Sequence, residues 1–309
     1  MPSDHSALPG TADQWILARL ARTIESTTAA LQAYEFKGYA DGLYDFIWRD
    51  FCDWYIEAIK PTVATDAGQQ RVLVTVIDAI LRLLHPSMPY ITEKLWERLN
   101  IVAPAQSRAD ITVDGLVELK LPVSSLLIRA GWPTVRHHEE NAGRVEARFE
   151  SVRQIVSAIR EVRTTYKVVP RQKVVCSIKT AGPASAELST DLNLIATLAN
   201  VDLGGSAGTG PSGPVRVGPH IEKPTDAAAT TVAGMEIYLH SLIDAGAEKT
   251  RLTKRVGELE KSIAAMTGRL SNKSYTDKAP PKLVQETRDQ LAAAEKELAA
   301  VKAQVAGLG

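Results

Sequence analysis

The sequence predicts a mainly α-helical protein in three parts: an antiparallel helical bundle, a small α+β unit and an antiparallel coiled-coil hairpin. Three observations predict it. Apolar residues recur at helical spacing up to Pro170, the period shortens to that of strands just beyond it, and the C-terminal segment repeats in heptads. The corresponding domains are 1–170, 171–244 and 245–309.

The first helix is expected from Thr11 to about Ala33, where Trp15, Ile16, Leu20, Ile24 and Leu31 follow helical spacing. Thr11 with Gln14 fits a capping-box start. A second helix runs from about Phe36 to Ile59 and is stopped by Pro61. Its apolar arc holds Leu43, Tyr44, Ile47, Trp48, Phe51, Trp54, Tyr55 and Ile59, opposite a stripe of Asp45, Arg49, Asp53 and Glu57. The aromatic group Trp48, Phe51, Trp54 and Tyr55 is therefore assigned to the core. Arg49 lies four residues from both Asp45 and Asp53, the spacing of an intrahelical ion pair.

A third helix, Gln69 to Leu84, is apolar on nearly all sides and reads as the centre of the bundle. His85-Pro86 and Met88-Pro89 interrupt it before a further turn from Thr92 to Leu99. Ile101 to Pro133 reads as a long, weakly patterned connection. The fourth helix spans about Glu139 to Lys167, with Ile155, Ile159, Val162 and Tyr166 on its core face.

Beyond Pro170, Lys173 to Thr180 alternates as a strand and Ser185 to Ala199 reads as a helix. Leu203 to Pro214 is a Gly/Ser/Pro-rich loop, and Ala228 to Val232 and Met235 to Leu242 are strand-like around Gly234. In the last part Leu252, Val256, Leu259, Ile263, Met266 and Leu270 form one a/d seam. Val284, Thr287, Leu291, Ala294, Leu298, Val301 and Val305 form the other, and Pro280-Pro281 opens that second helix.

Thirty-six basic residues balance 36 acidic ones, so overall charge points to no polyanionic partner. The distribution is uneven. Up to Glu150 acids outnumber bases 20 to 15. Between Ser151 and Pro183, Arg153, Arg160, Arg163, Lys167, Arg171, Lys173 and Lys179 face only Glu161. From Lys249 to Lys282 the bases Lys249, Arg251, Lys254, Arg255, Lys261, Arg269, Lys273, Lys278 and Lys282 face Glu258, Glu260 and Asp277. Two basic zones in a neutral chain suit contact with a phosphate backbone. On the fourth helix Arg153, Arg160 and Lys167 are seven apart with Arg163 nearby, a cationic ridge beside the core face; a merely solvated face has the same pattern. Basic residues outside a heptad seam also solubilise any coiled coil. Here the first hairpin helix and the tip are basic while the returning helix is not.

Phosphate-cradling glycine loops, a nucleophile elbow and metal-ligand spacing of histidines are all missing from the sequence. His137-His138 falls in a loop. Cys52 and Cys176 are far apart, which excludes a disulfide framework and suits a reducing compartment. The N-terminus lacks the pattern of a signal peptide, and the apolar run at Val72–Leu84 is too short and too charged to span a bilayer. The expected location is the cytoplasm, with no membrane partner and no catalytic constellation.

Several stretches together resemble class I aminoacyl-tRNA synthetases of the valine/isoleucine/leucine group. DQWILARLARTIESTTAALQAYEF followed by GLYDFIWRDFCDWYIEAIKP is similar to the opening of their anticodon-binding bundle. LRLLHPSMPYITEKLWERL resembles its next signature, and GWP followed by VSAIREVRTTYKVVPRQKV its last helix. VAGMEIYLHSLID and the heptad hairpin, with LSNKSYTDKAP at its tip, resemble the C-terminal arm of the valyl enzymes; the cysteine-bound zinc module with which isoleucyl enzymes often end has no counterpart.

The resemblance implies a bundle of the class I anticodon-binding type that grips the anticodon arm, and a hairpin lying on the outer corner of tRNA(Val). It implies tRNA contacts from Arg49, both basic zones and no catalytic residue. The family's His-Ile-Gly-His and Lys-Met-Ser-Lys-Ser motifs are missing from the sequence, so the chain is expected to be an inactive part of a ligase. It would carry no cofactor, work beside a catalytic domain that uses ATP and Mg2+, and be monomeric. The residues also leave open a non-catalytic coiled-coil interaction protein or a freestanding RNA-binding factor descended from a synthetase.

Overall fold

The computed structural model describes residues 10–104, 108, 110–180, 183–203, 217–224, 226–242, 245–271 and 281–306. Contacts divide the chain into two units, 1–158 with 186–201, and 159–185 with 202–309.

In the first unit, α1 (Thr11–Gln32) is followed by α2 (Phe36–Tyr44), a π-helical stretch (Asp45–Ile56) and α3 (Glu57–Ile59), which continue one another. α4 (Ala67–Leu84) and α5 (Pro89–Val102) come next, and α6 (Glu139–Thr165) opens after a small sheet. The first helix starts differently from the capping-box reading. Gly10 is the N-cap, and the Thr11 hydroxyl donates to Asp191 at 2.7 Å instead of closing back on its own helix. The α4 cap does follow the local rule: the Asp66 carboxylate accepts from the Gln69 N–H at 3.0 Å.

The core of this unit is aromatic. Trp15 stacks on Phe149 at 3.9 Å between centroids, and Trp54 meets Phe149 edge-on at 6.3 Å. Buried Tyr55 donates its hydroxyl to Asp13 at 2.8 Å. Burial raises the pKa of that carboxyl, so the tyrosine hydrogen bond stabilises the charge that burial disfavours. Phe51, Trp54 and Tyr55 are buried as expected, but Trp48 and Tyr44 are each 58% exposed. The π stretch explains this. Its i→i+5 bonding widens each turn, so buried positions recur at intervals of four and five, and Trp48 swings to the side opposite Tyr55.

The connection from Ile101 to Pro133 is more ordered than its pattern suggests. β1 (Asp110–Val113), β2 (Val117–Lys120) and β3 (Thr134–His137) form an antiparallel sheet in that order. β1 and β2 alternate buried and exposed residues, and β3 half-buried and exposed ones, over only four positions each. Gly115, at φ 68°, takes the left-handed conformation in the turn between β1 and β2. α5 is also longer than expected, with Pro89 in its first turn. The connection is anchored to α4 and α5 by a buried ionic cluster. Asp78 receives Arg82 at 2.6 Å and Arg108 at 2.7 Å, and both guanidiniums lie over Trp96, at 5.0 and 4.8 Å from the ring centroid. Arg22 joins α1 to α6, binding Glu139 at 2.6 Å and Glu146 at 2.8 Å. That pairing, with His137, holds the Glu139 carboxyl below the ordinary glutamate value.

In the second unit, β4 (Val174–Lys179) pairs antiparallel with β8 (Met235–Leu239), which pairs antiparallel with β7 (Ala228–Val232); β6 (Val217–Gly218) runs parallel to β4. Between β4 and β6 in the chain come α7 (Pro183–Ala199) and β5 (Val201–Asp202), of which residues 186–201 belong to the first unit. The β7–β8 turn places Ala233 and Gly234 at φ 49° and 76°, the two positive values of a tight hairpin. The predicted Gly/Ser/Pro-rich loop, Leu203 to Pro214, lies outside the described residues except for buried Leu203.

α8 (Ala245–Ser271) and α9 (Pro281–Ala306) form a helical hairpin. Leu259 and Val301 are buried together, with Val256, Ala294 and Leu298 packed against them, so the predicted seams meet. Ten peptide steps from Ser271 to Pro281 reach about 35 Å at most, short of the ~39 Å length of either helix, which makes the pair antiparallel. Lys302–Glu260 at 2.8 Å and Arg255–Glu297 at 2.7 Å bridge the helices beside the seam.

Candidate nucleic-acid interface

The predicted binding residues divide into those facing solvent and those engaged in the fold. On α6, Arg160 is exposed, and Lys167, Arg171 and Lys173 are exposed just beyond its end. Arg163 is not part of that ridge. It is 7% exposed, and its guanidinium donates to the carbonyls of Val169, Pro170 and Gln172 at 3.4, 3.3 and 2.9 Å. The chain beyond α6 folds back over this flank, and its buried carbonyls need a donor. Burial lowers the pKa of this guanidinium, which stays charged. Tyr166, expected on the core face, is 44% exposed because α6 ends at Thr165 and the backbone turns away.

Arg153 is half-buried. Its guanidinium lies over Trp54, 4.9 Å from the ring centroid, and 3.5 Å from Glu150. Arg49 is exposed and pairs with Asp45 at 3.2 Å, as its spacing indicated. On the hairpin Lys254, Lys261 and Arg269 are exposed, whereas Arg255 is shared between Glu297 and Glu258. Glu297 raises its pKa, as expected for a cation held by a carboxylate. Lys273 and Lys278 lie outside the described residues, as do the side chains of Lys249, Arg251 and Lys282.

A second surface was not legible in the sequence. In the first unit Tyr34, Phe36, Tyr44 and Trp48 are 80, 63, 58 and 58% exposed. Tyr44 and Trp48 stack at 6.4 Å, and Tyr34 meets Phe36 edge-on at 6.4 Å. Beside them lies an apolar cavity of about 550 Å³, lined by Phe36, Leu43, Trp48, Leu84 and Met88 among others. The charges nearby are spent on each other, since Lys37 pairs with Asp41 and Arg49 with Asp45. Flat rings over an apolar cleft suit stacking on planar groups, while the basic surface suits phosphates. Among the described residues no cluster of His, Cys, Asp and Glu is arranged to hold a metal ion, and no helix is long and apolar enough to cross a membrane.

Comparison with known proteins gives these surfaces a context. Residues 13–179 match the family described as the anticodon-binding domain of tRNA ligase, and residues 244–309 match the valyl tRNA synthetase tRNA binding arm. The chain is 35% identical over 289 residues to a valine--tRNA ligase of Thermotoga maritima, covering 91% of this chain and 29% of the relative. It is 34% identical over 292 residues to that of Petrotoga mobilis, covering 92% and 30%. With that of Nocardia farcinica it shares 32% identity over 302 residues, covering 96% and 30%. The chain thus spans about three-tenths of the length of these relatives.

Proposed function

Because the chain belongs to the family of tRNA ligase anticodon-binding domains, we propose that it is the tRNA-gripping portion of a valine--tRNA ligase, with tRNA(Val) as its partner. The observation that carries this reading is the order of the two matches, an anticodon-binding bundle followed by a tRNA-binding arm in one chain. The division into a bundle (1–170), a linking α+β domain (171–244) and a coiled-coil arm (245–309) belongs to the same proposal.

In this reading the aromatic surface of the bundle stacks on unpaired bases of the anticodon loop, which present π-faces at their ends. Arg160, Lys167, Arg171 and Lys173 meet phosphates, as do Lys254, Lys261, Arg269 and the other basic residues of the hairpin's first helix and tip. Such contacts would orient the tRNA for attachment of valine at its distant 3′ end. That ATP- and Mg2+-dependent step belongs to a catalytic domain, which this chain's residues do not supply. The proposed protein is cytoplasmic and monomeric.

The stacking half of the reading has its own test. Trp48→Ala is expected to weaken binding of a tRNA(Val) transcript roughly 10-fold, the worth of one or two stacked bases, while leaving the salt dependence of binding unchanged. Trp48 is exposed, so the variant should keep the parent's melting temperature. Unchanged affinity would remove the aromatic surface from the interface.

A further inference from the structure

We propose that the C-terminal cap of α6 is a built phosphate contact, made by Lys167 and held in place by buried Arg163; this rests on the reading that the basic surface meets tRNA. α6 ends in a Schellman cap. The Val168 N–H donates to the Arg163 carbonyl at 2.9 Å, and the Lys167 N–H donates to the Thr164 carbonyl at 3.1 Å. In this cap the residue at Lys167 must be left-handed, and its φ is 53°. Glycine usually fills the position, because a side chain there brings Cβ against the following carbonyl. A lysine in glycine's place is a local cost that packing does not offset, because the Lys167 side chain is exposed. What the position gains is a cation projecting from a fixed backbone.

Arg163 makes that backbone fixed. Its own carbonyl accepts one cap hydrogen bond while its guanidinium reaches the carbonyls of Val169, Pro170 and Gln172. The Gln172 N–H also donates to the Val169 carbonyl at 2.9 Å. The helix end and the following turn are thereby tied together, and Lys167, Arg171 and Lys173 all project from the tied segment. Arg163 is a positioning residue: its charge is used inside the turn, and the three exposed cations around it address the ligand.

The test uses the full chain and a tRNA(Val) transcript, titrated at several salt concentrations. Lys167→Gly should relieve the strained conformation and raise the melting temperature by ~2 °C. The same variant should bind roughly five times more weakly, with a salt slope lower by about 0.9, the signature of one lost phosphate contact. A residue that only shapes the fold would not move stability and affinity in opposite directions. Arg163→Lys should weaken binding without changing the slope, and should have no further effect when combined with Lys167→Gly, Arg171→Ala and Lys173→Ala.

A slope lowered by Arg163→Lys would make that residue a direct contact and overturn its positioning role. An independent check needs no RNA: amide exchange in Arg163→Lys should quicken about 10-fold within residues 167–173 and not elsewhere. Unchanged exchange there would also overturn the proposal. The two levels separate through the fourfold alanine variant of Arg160, Lys167, Arg171 and Lys173. If that variant binds as the parent does, the basic-surface reading fails and this proposal with it. If it binds weakly but Lys167→Gly does not, this proposal alone fails.

Discussion

Asp78→Ala is expected to destabilise the first unit by about 3–5 kcal/mol, the usual cost of removing one partner from a buried ion cluster. Asp78, Arg82 and Arg108 have side chains 2, 3 and 0% exposed. One carboxylate serves two guanidiniums, so its loss leaves two buried cations beside Trp96 without their shared counter-charge. The remaining donors are already committed. Arg82 donates to the carbonyls of Gly131 at 2.7 Å and Pro122 at 2.9 Å; Arg108 donates to Asn100 at 2.6 Å and to the Ala103 carbonyl.

These partners come from α4, α5 and both ends of the connection carrying the three-stranded sheet, so that connection should loosen first. Chemical denaturation, followed by the fluorescence of the buried tryptophans, measures the loss. A cost below about 1 kcal/mol would mean that water reaches the cluster. Replacing all three charges with apolar residues of matching volume should cost far less than Asp78→Ala, because no unpaired charge is left behind.

The second large effect concerns binding. Changing Arg160, Lys167, Arg171 and Lys173 together to alanine is expected to weaken tRNA(Val) binding roughly 100-fold at moderate salt, and to lower the salt slope by about 3–4. These four are exposed and consecutive along the end of α6 and its turn. Their removal should leave folding intact, because exposed side chains away from special backbone positions contribute little to stability, and at Lys167 alanine keeps the existing strain. The same number of alanines at Arg22, Arg82, Arg108 and Arg163 would instead damage the fold, since those cations hold carboxylates or carbonyls. Filter binding or fluorescence anisotropy over a salt series distinguishes the two sets. If the fourfold surface variant keeps the parent slope, phosphates are met elsewhere.

What the sequence made legible follows from the range of each signal. The hairpin was readable because a heptad seam repeats locally, and Leu259, Leu298 and Val301 meet where that repeat says they should. The strands β4, β7 and β8 were readable from alternation and a glycine turn. β1, β2 and β3 were not, because four residues of alternation are too few, and pairings such as Ile111 with Leu119 and Leu119 with Val135 supply the rest. Trp48 was assigned to the core by a period of 3.6, and the π-helical stretch carries it into solvent. Arg108 sits in an unpatterned segment, where an arginine looks solvated until Asp78 is brought to it.

The candidate surfaces were half legible for the same reason. The excess of cations after Ser151 is a property of composition and was visible at once. Which cation faces outward depends on where α6 ends and how the chain folds back, and that turned Arg163 inward. The exposed aromatic surface gathers Tyr34 and Met88 from turns with Phe36, Tyr44 and Trp48 from helical segments, a grouping that only the fold creates.

The most direct test of the account is a titration of the full chain with tRNA(Val) and with the same tRNA carrying an altered anticodon, each over a salt series. The expected result is salt-steep binding of both, with at least about 10-fold preference for the native anticodon, since phosphate contacts hold either RNA and stacking and base readout separate them. Binding that ignores salt, or equal affinity for the two RNAs, would contradict the assignment of this chain as an anticodon-gripping module.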